Sequence, residues 1–323
     1  MRTLFLTLLS SLLLSNAALA DAASAAARPE AGVSAVLPST RQFDFKSGIN
    51  GRSYRVQVAI PFVPAPQQGY ATLYLLDGDG YFGTYSSAAR IRALYRELAP
   101  AIVIGIGYPE AEGDIKVALQ RRQYDLTPTP IDPKEAALTG LPPSGPDAFG
   151  GADAFLQVIE REIKPRVAAM LPVDRSREIL FGHSLGGLFV LHTLFTHPDS
   201  FQTYLALSPS IWFNNRTVLG NEASFAAAVK SGKSSPRVFI GVGGAEKAPS
   251  VDPLPPGMTR EQAMRLLAQG AMVDNAMHLG DRLKALSGAA GYTVQSRVFD
   301  GESHMSVGWV AVGPFLEFAL PKK

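Results

Sequence analysis

The sequence predicts an α/β fold, a mostly parallel central sheet with helices on both faces. Three observations carry this. Short β-rich runs alternate with longer runs of helical spacing, the pattern of a sheet buried on both sides. The turn Gly182-His183-Ser184-Leu185-Gly186 joins one such strand to one such helix. No composition break divides the 323-residue chain, so residues 40–323 read as a single domain.

The elements follow in order. Tyr54, Val56, Val58 and Ile60 recur at every second position, with Arg55 and Gln57 between the first three, the mark of a half-buried strand over 52–60. The run ATLYLL at 71–76 is β-rich and mostly apolar and ends in Asp77-Gly78-Asp79-Gly80; it reads as a buried strand. Ile91, Leu94, Tyr95 and Leu98 stand at i, i+3, i+4 and i+7 and predict a helix over 86–98. A strand is expected at 101–106. Phe155, Val158, Ile159 and Ile163 place a helix over 151–171. Residues 178–181 form a short strand and 185–194 an apolar helix. Strands follow at 204–207, 237–242 and 292–299, with helices at 260–286 and 306–320. Two segments read as long loops: 108–150, with seven prolines, and 243–258, with four. Both leave the sheet where a strand ends, the edge at which open α/β sheets bind ligands.

Composition narrows the function. Lys plus Arg is 30 and Asp plus Glu is 28, a net charge of +2, so there is no basic excess for nucleic acid. Cysteine is absent, which excludes disulfides, thiolate metal sites and a cysteine nucleophile. Hydrophobic residues make up 46%, far above a disordered composition. Met1-Arg2-Thr3, the apolar run 4–14 and Ala18-Leu19-Ala20 read as a signal peptide over 1–20, cleaved after Ala20. The apolar run is too short to span a bilayer, and no later one is long enough. Residues 21–39 read as a mobile leader. The mature chain is expected to be periplasmic or secreted, without stable membrane insertion.

The chemistry concentrates at Ser184. A strand before Gly-x-Ser-x-Gly and a helix after it are the setting of a nucleophile elbow, which presents the hydroxyl above the sheet edge. Such a serine needs a base. Of the five histidines, His304 follows the last strand, the position of the histidine in a chain ordered serine, acid, histidine. His183 is expected to point away from Ser184. His192 and His197 lie on or beside the helix after the elbow, and His278 lies in a helical stretch. The acid should follow the strand at 237–242, where Glu246 is best placed to orient the imidazole; Asp252, Glu302 or no acid are the alternatives. For the oxyanion hole, Leu185 supplies one backbone N–H, and Gly80 or Tyr81 the second. The run Asp77-Gly78-Asp79-Gly80 fails as a calcium loop, because Tyr81, Phe82 and Ala88 occupy ligand and turn positions. Dinucleotide, P-loop and zinc-helix spacings are also missing. No cofactor or metal is expected.

The segments YLLDGDGYF, RRQYDLTPTP, FGHSLGGLF and FDGESHMS stand in this order. Together they resemble an esterase branch of the α/β-hydrolases, above all the periplasmic siderophore esterases that open the trilactone of enterobactin and salmochelin. The resemblance covers about residues 40–320. It implies an α/β-hydrolase fold with Ser184 as nucleophile, His304 as base and Arg122 near the substrate oxyanion. The implied partner is a small-molecule ester, such as a ferric catecholate siderophore, with no nucleic acid and no cofactor. Arg121 and Arg122 would face the anionic complex, and Trp212 would offer a wall for catechol rings. Another acyl, acetyl or feruloyl ester, an acyltransferase on the same fold, and a binding module without turnover are the other readings.

Overall fold

The structure is a computed structural model that describes residues 36–109, 115–131, 148–247 and most of 259–322. The signal peptide and the leader expected at 1–39 lie outside the described residues except for 36–39. Ser39–Lys323 form one compact unit.

Its centre is an eight-stranded sheet of order β1-β2-β4-β3-β5-β6-β7-β8. The strands are β1 Thr40–Lys46, β2 Ser53–Ala59, β3 Tyr70–Leu75, β4 Ala101–Gly107, β5 Val173–His183, β6 Thr203–Leu207, β7 Arg237–Gly243 and β8 Thr293–Phe299. Only β1 and β2 run antiparallel to their neighbours; β4-β3-β5-β6-β7-β8 are parallel. β3, β4 and β6 are buried along their whole length, as strands covered on both faces must be. β1 was not expected from the sequence: its residues are partly exposed, and the segment TRQFDFK has only two apolar residues to reveal it.

The register brings the carboxyl ends of the parallel strands to one edge. Leu75 pairs with Phe181, His183 with Leu207, Leu207 with Gly241 and Gly243 with Phe299. The turns after β3, β5, β6, β7 and β8 therefore open side by side.

The helices differ from expectation mostly in their ends. α1 spans Gly78–Leu94, beginning eight residues before the expected helix at 86. The Asp-Gly-Asp-Gly run looks like a loop, but Asp77 turns into the left-handed region (φ 52°) and the helix starts directly after it. α2, Ile115–Asp125, lies inside the segment expected as a loop; residues 110–114 and 132–147 lie outside the described residues. α3, Ala152–Val158, and α4, Lys164–Met170, are joined by one π turn at Ile159–Ile163. α5, Leu185–Thr196, is buried almost all round. α6 is Glu222–Lys230 and α7 Met272–Lys284. The last expected helix divides into α8, Val307–Val310, and α9, Val312–Ala319. Two apolar clusters fill the molecule, one on each face of the sheet. The larger holds Tyr74, Phe155, Phe189 and Ile240. The smaller holds Tyr85, Phe181, Phe239 and Phe315. No helix among the described residues is long and apolar enough to cross a membrane.

Candidate active site

Ser184 stands between β5 and α5 with φ 60° and ψ −116°, a conformation that costs a non-glycine residue on the order of 1–3 kcal/mol. The surroundings hold it there. Its N–H donates to Leu207 O at 3.0 Å, and its carbonyl accepts from Leu188 N at 3.0 Å and Ser210 N at 3.1 Å. Gly182 allows the turn: a Cβ there would lie 2.2 Å from Gly186 O. Gly187 is equally constrained, because its Cβ would meet Leu207 O and Pro209 Cα, both at 2.9 Å. Gly186, the second glycine of the motif, has ordinary room for a Cβ, with no atom nearer than 3.5 Å. The tight packing thus falls on the first glycine and on the one after the motif.

His304 follows β8 and Glu246 follows β7, in a short 3-10 turn at Gly244–Lys247. The structure brings them together. His304 Nδ1 lies 2.6 Å from Glu246 Oε2. The other carboxylate oxygen, Oε1, accepts from Ser208 Oγ at 2.5 Å and from Gly243 N at 2.9 Å. Burial favours the neutral carboxyl, but the hydrogen bond and charge of His304 and the two further donors outweigh it, and the Glu246 pKa is lowered. The carboxylate is buried while the imidazole side chain keeps 37% exposure, so a substrate can reach the ring. Of the alternative acids, Glu302 accepts from Ser306 Oγ at 2.5 Å, and Asp252 lies outside the described residues.

The Ser184 hydroxyl lies 3.4 Å from Ser210 Oγ. No hydrogen bond joins it to His304 among the described residues. A long or misaligned contact between nucleophile and base is common in unliganded enzymes and tightens when substrate binds.

The His183 ring packs 4.6 Å from the His304 ring and 5.9 Å from the Tyr81 ring. Burial, with the neighbouring His304 charge, pushes its pKa down to about 4. It is a neutral aromatic surface behind His304.

The oxyanion candidates divide. Leu185 opens α5, where an N–H has no carbonyl one turn behind it. Gly80 and Tyr81 are corrected: their N–H groups both donate to Asp77 O, at 2.9 and 3.3 Å. They close the first turn of α1 and are not open donors. Gly78, the first residue of α1, is where a helix has an N–H with no carbonyl one turn behind it. Arg122, on α2, clasps the same turn. Its Nε and Nη2 donate to Asp77 Oδ1 and Oδ2, each at 2.9 Å, and Nη2 lies 3.5 Å from His183 O. Burial opposes the guanidinium charge, but Asp77 more than compensates and the pKa is raised. Arg122 thus ties α2 to the turn after β3.

Arg121 turns elsewhere. It donates to Ser53 O at 3.1 Å and lies 4.9 Å over the Tyr108 ring, with 12% side-chain exposure; it offers no open docking face. Trp212 is half-buried and packs against the larger cluster. The exposed tryptophan near the site is Trp309 of α8, 51% exposed, with its ring 5.6 Å from that of Tyr81. His192 pairs with Asp153 at 2.7 Å. No cluster of three metal-ligating side chains occurs among the described residues.

The sequence matches the Esterase family ("Putative esterase") over residues 47–265. The chain belongs to this family. It is 35% identical over 292 residues to the ferri-bacillibactin esterase of Bacillus subtilis, covering 88% of this chain and 90% of that one. It is 36% identical over 280 residues to the siderophore triacetylfusarinine C esterase of Aspergillus fumigatus, covering 84% and 89%. Among solved structures it resembles siderophore hydrolase EstB from Aspergillus nidulans, with TM-score 0.73, 30% identity, and coverage of 90% of this chain and 98% of that one. The fold is that of the α/β-hydrolases, and the family member is an esterase.

Two buried groups pull the acid response in opposite directions. His183 titrates near pH 4 when folded, against an ordinary value near 6.5. The stability it contributes is complete above about pH 6.5 and lost as pH falls towards 4, roughly 3 kcal/mol in all. Asp125, at the end of α2, is the opposite case. Burial raises its pKa to about 6, and its nearest cation, Arg121 Nη2, is 3.8 Å away. It therefore costs stability above pH 6 and less below. Asp125→Asn is expected to stabilise the protein at pH 8 by about 1–3 kcal/mol and to make the loss between pH 6.5 and 4 steeper. Urea unfolding across this range checks both signs.

Proposed function

We propose that this protein is an exported serine esterase that hydrolyses the ester bonds of siderophores. The observation that carries the serine chemistry is the arrangement at the carboxyl edge of the sheet: Ser184 at a strained elbow, and His304 held at 2.6 Å by a buried, ionised Glu246. What supports the substrate class is that relatives matching most of this chain are named as siderophore esterases.

The mechanism follows from the positions. On substrate binding, the Ser184 side chain leaves Ser210 and turns to His304 Nε2. Its oxygen attacks the ester carbonyl while its proton passes to Nε2. The developing oxyanion is met by the Leu185 N–H and by the Gly78 N–H that opens α1. Glu246 stabilises the imidazolium through Nδ1–H. His304 then protonates the departing alkoxide, and the acyl group remains on Ser184. Water attacks this acyl-enzyme, giving its proton to His304, and releases the carboxylic acid with Ser184 restored. His183 stays neutral throughout because its own pKa lies near 4, so it adds no repelling charge beside the imidazolium.

Arg122 enters as support for the oxyanion turn. Arg122→Met leaves the Asp77 carboxylate without its bidentate partner. We expect kcat to fall by on the order of 10²–10³, the usual loss for a damaged oxyanion hole, for neutral aryl esters and siderophores alike. If Arg122 served only to attract an anionic siderophore, KM for that substrate alone would rise, and the effect would fade with salt.

A panel of siderophore lactones, simple aryl esters, acetyl esters and feruloyl esters tests the substrate class. The proposal expects the highest kcat/KM on siderophores. A preference for another ester would retain the chemistry and reject the substrate. Diversion of the acyl group to added alcohols in place of water would favour the acyltransferase reading.

A further inference from the structure

Ser208 follows β6 in the turn that packs against the elbow. It is fully buried, and its φ of 41° lies in the left-handed region where a glycine would rest without strain. Its N–H donates to Gly241 O at 2.7 Å, which fixes the turn. Its Oγ meets Glu246 Oε1 at 2.5 Å. A strained, buried residue whose hydroxyl reaches the ionised carboxylate behind His304 calls for a role for that hydroxyl.

We propose that Ser208 is a positioning residue for the reaction, its hydroxyl locking the Glu246 carboxylate so that Oε2 faces His304 Nδ1. The inference rests on the Ser184–His304–Glu246 reading given above. Oε1 accepts from Ser208 Oγ and Gly243 N, on two different strand ends, while Oε2 accepts from His304. With both donors in place, the carboxylate plane is fixed from β6 and β7 together. With Gly243 N alone, it can rotate about its last torsion and carry the imidazole with it. The turn thus serves both ends of the catalytic set, since Ser210 of the same segment contacts Ser184 Oγ.

The test is Ser208→Gly, which removes the hydroxyl and suits the backbone. The variant should fold with a Tm equal to or above the parent's. On a neutral aryl ester its kcat should fall about tenfold, the scale of one lost hydrogen bond to a charged group, with KM unchanged. In a Glu246→Gln background the same change should cost less than about twofold, because its route to the reaction is already broken. Parent-like kcat in Ser208→Gly, a rise in KM with kcat held, or an equal loss in both backgrounds would each overturn the proposal. Glu246→Gln alone reports on the reading beneath it. If that change is silent, the acid assignment and the proposal fall together. If it is damaging while Ser208→Gly is silent, only the proposal falls.

Discussion

Replacing Ser184 by Ala is expected to leave a folded protein and remove its hydrolysis. The elbow is set by backbone contacts, the bonds to Leu207, Leu188 and Ser210, and by the close approach at Gly182. None of these involves the Ser184 hydroxyl, whose contact with Ser210 Oγ is a long 3.4 Å. Alanine keeps the Cβ and the positive φ already accommodated there. Loss of the nucleophile should lower kcat by at least on the order of 10⁴, with a Tm close to the parent's. Steady-state hydrolysis of an aryl ester, with thermal unfolding of the same preparation, reads both. Activity within about tenfold of the parent would remove Ser184 from the chemistry.

The second large effect belongs to His304. Without the imidazole, Ser184 has no base and the leaving alkoxide no acid, so His304→Ala should be nearly as damaging as Ser184→Ala. The double variant should be little worse than either single one, because the two act as a unit. Additive losses would instead assign them separate roles. Removing His304 also takes a hydrogen bond from the buried Glu246 carboxylate, which Ser208 and Gly243 still hold. The fold should therefore survive the change. Glu246→Gln should cost less than His304→Ala, since the carboxylate orients and stabilises the imidazolium without touching the substrate.

The sheet was legible in the sequence wherever a strand is buried on both faces. β3, β4, β6 and β7 appear as short, mostly apolar β-rich runs, and their observed ends lie within about one residue of those expected. β1 was missed because it pairs only with β2 and is partly exposed. The early start of α1 was hidden by a run rich in Gly and Asp that signals a turn. Only the left-handed Asp77, clasped by Arg122 across 45 positions, lets a helix begin there. That pairing cannot be read from local pattern.

The same distinction holds for the site. The Gly-x-Ser-x-Gly turn marks Ser184 locally, and strand order leads to His304 and Glu246. Gly80 and Tyr81 were mistaken as donors because their N–H groups are consumed by the early start of α1. Nothing local shows that His183 packs against His304, because side-chain direction at a strained elbow depends on the turn itself. Ser208 and Ser210 carry no local signal beyond following the strand expected at 204–207. Their two hydroxyl contacts come from the register between β5, β6 and β7.

The proposed function has siderophore esters hydrolysed at Ser184. Mass spectrometry of the products, after purified protein is incubated with ferric and iron-free enterobactin, tests it most directly. Ring-opened linear siderophore, heavier than the intact trilactone by one water, and the shorter fragments left by further cleavage are expected with the parent protein and not with Ser184→Ala. Intact siderophore in the presence of a protein that turns over simple aryl esters would contradict the substrate. Equal ring opening by Ser184→Ala would contradict the chemistry.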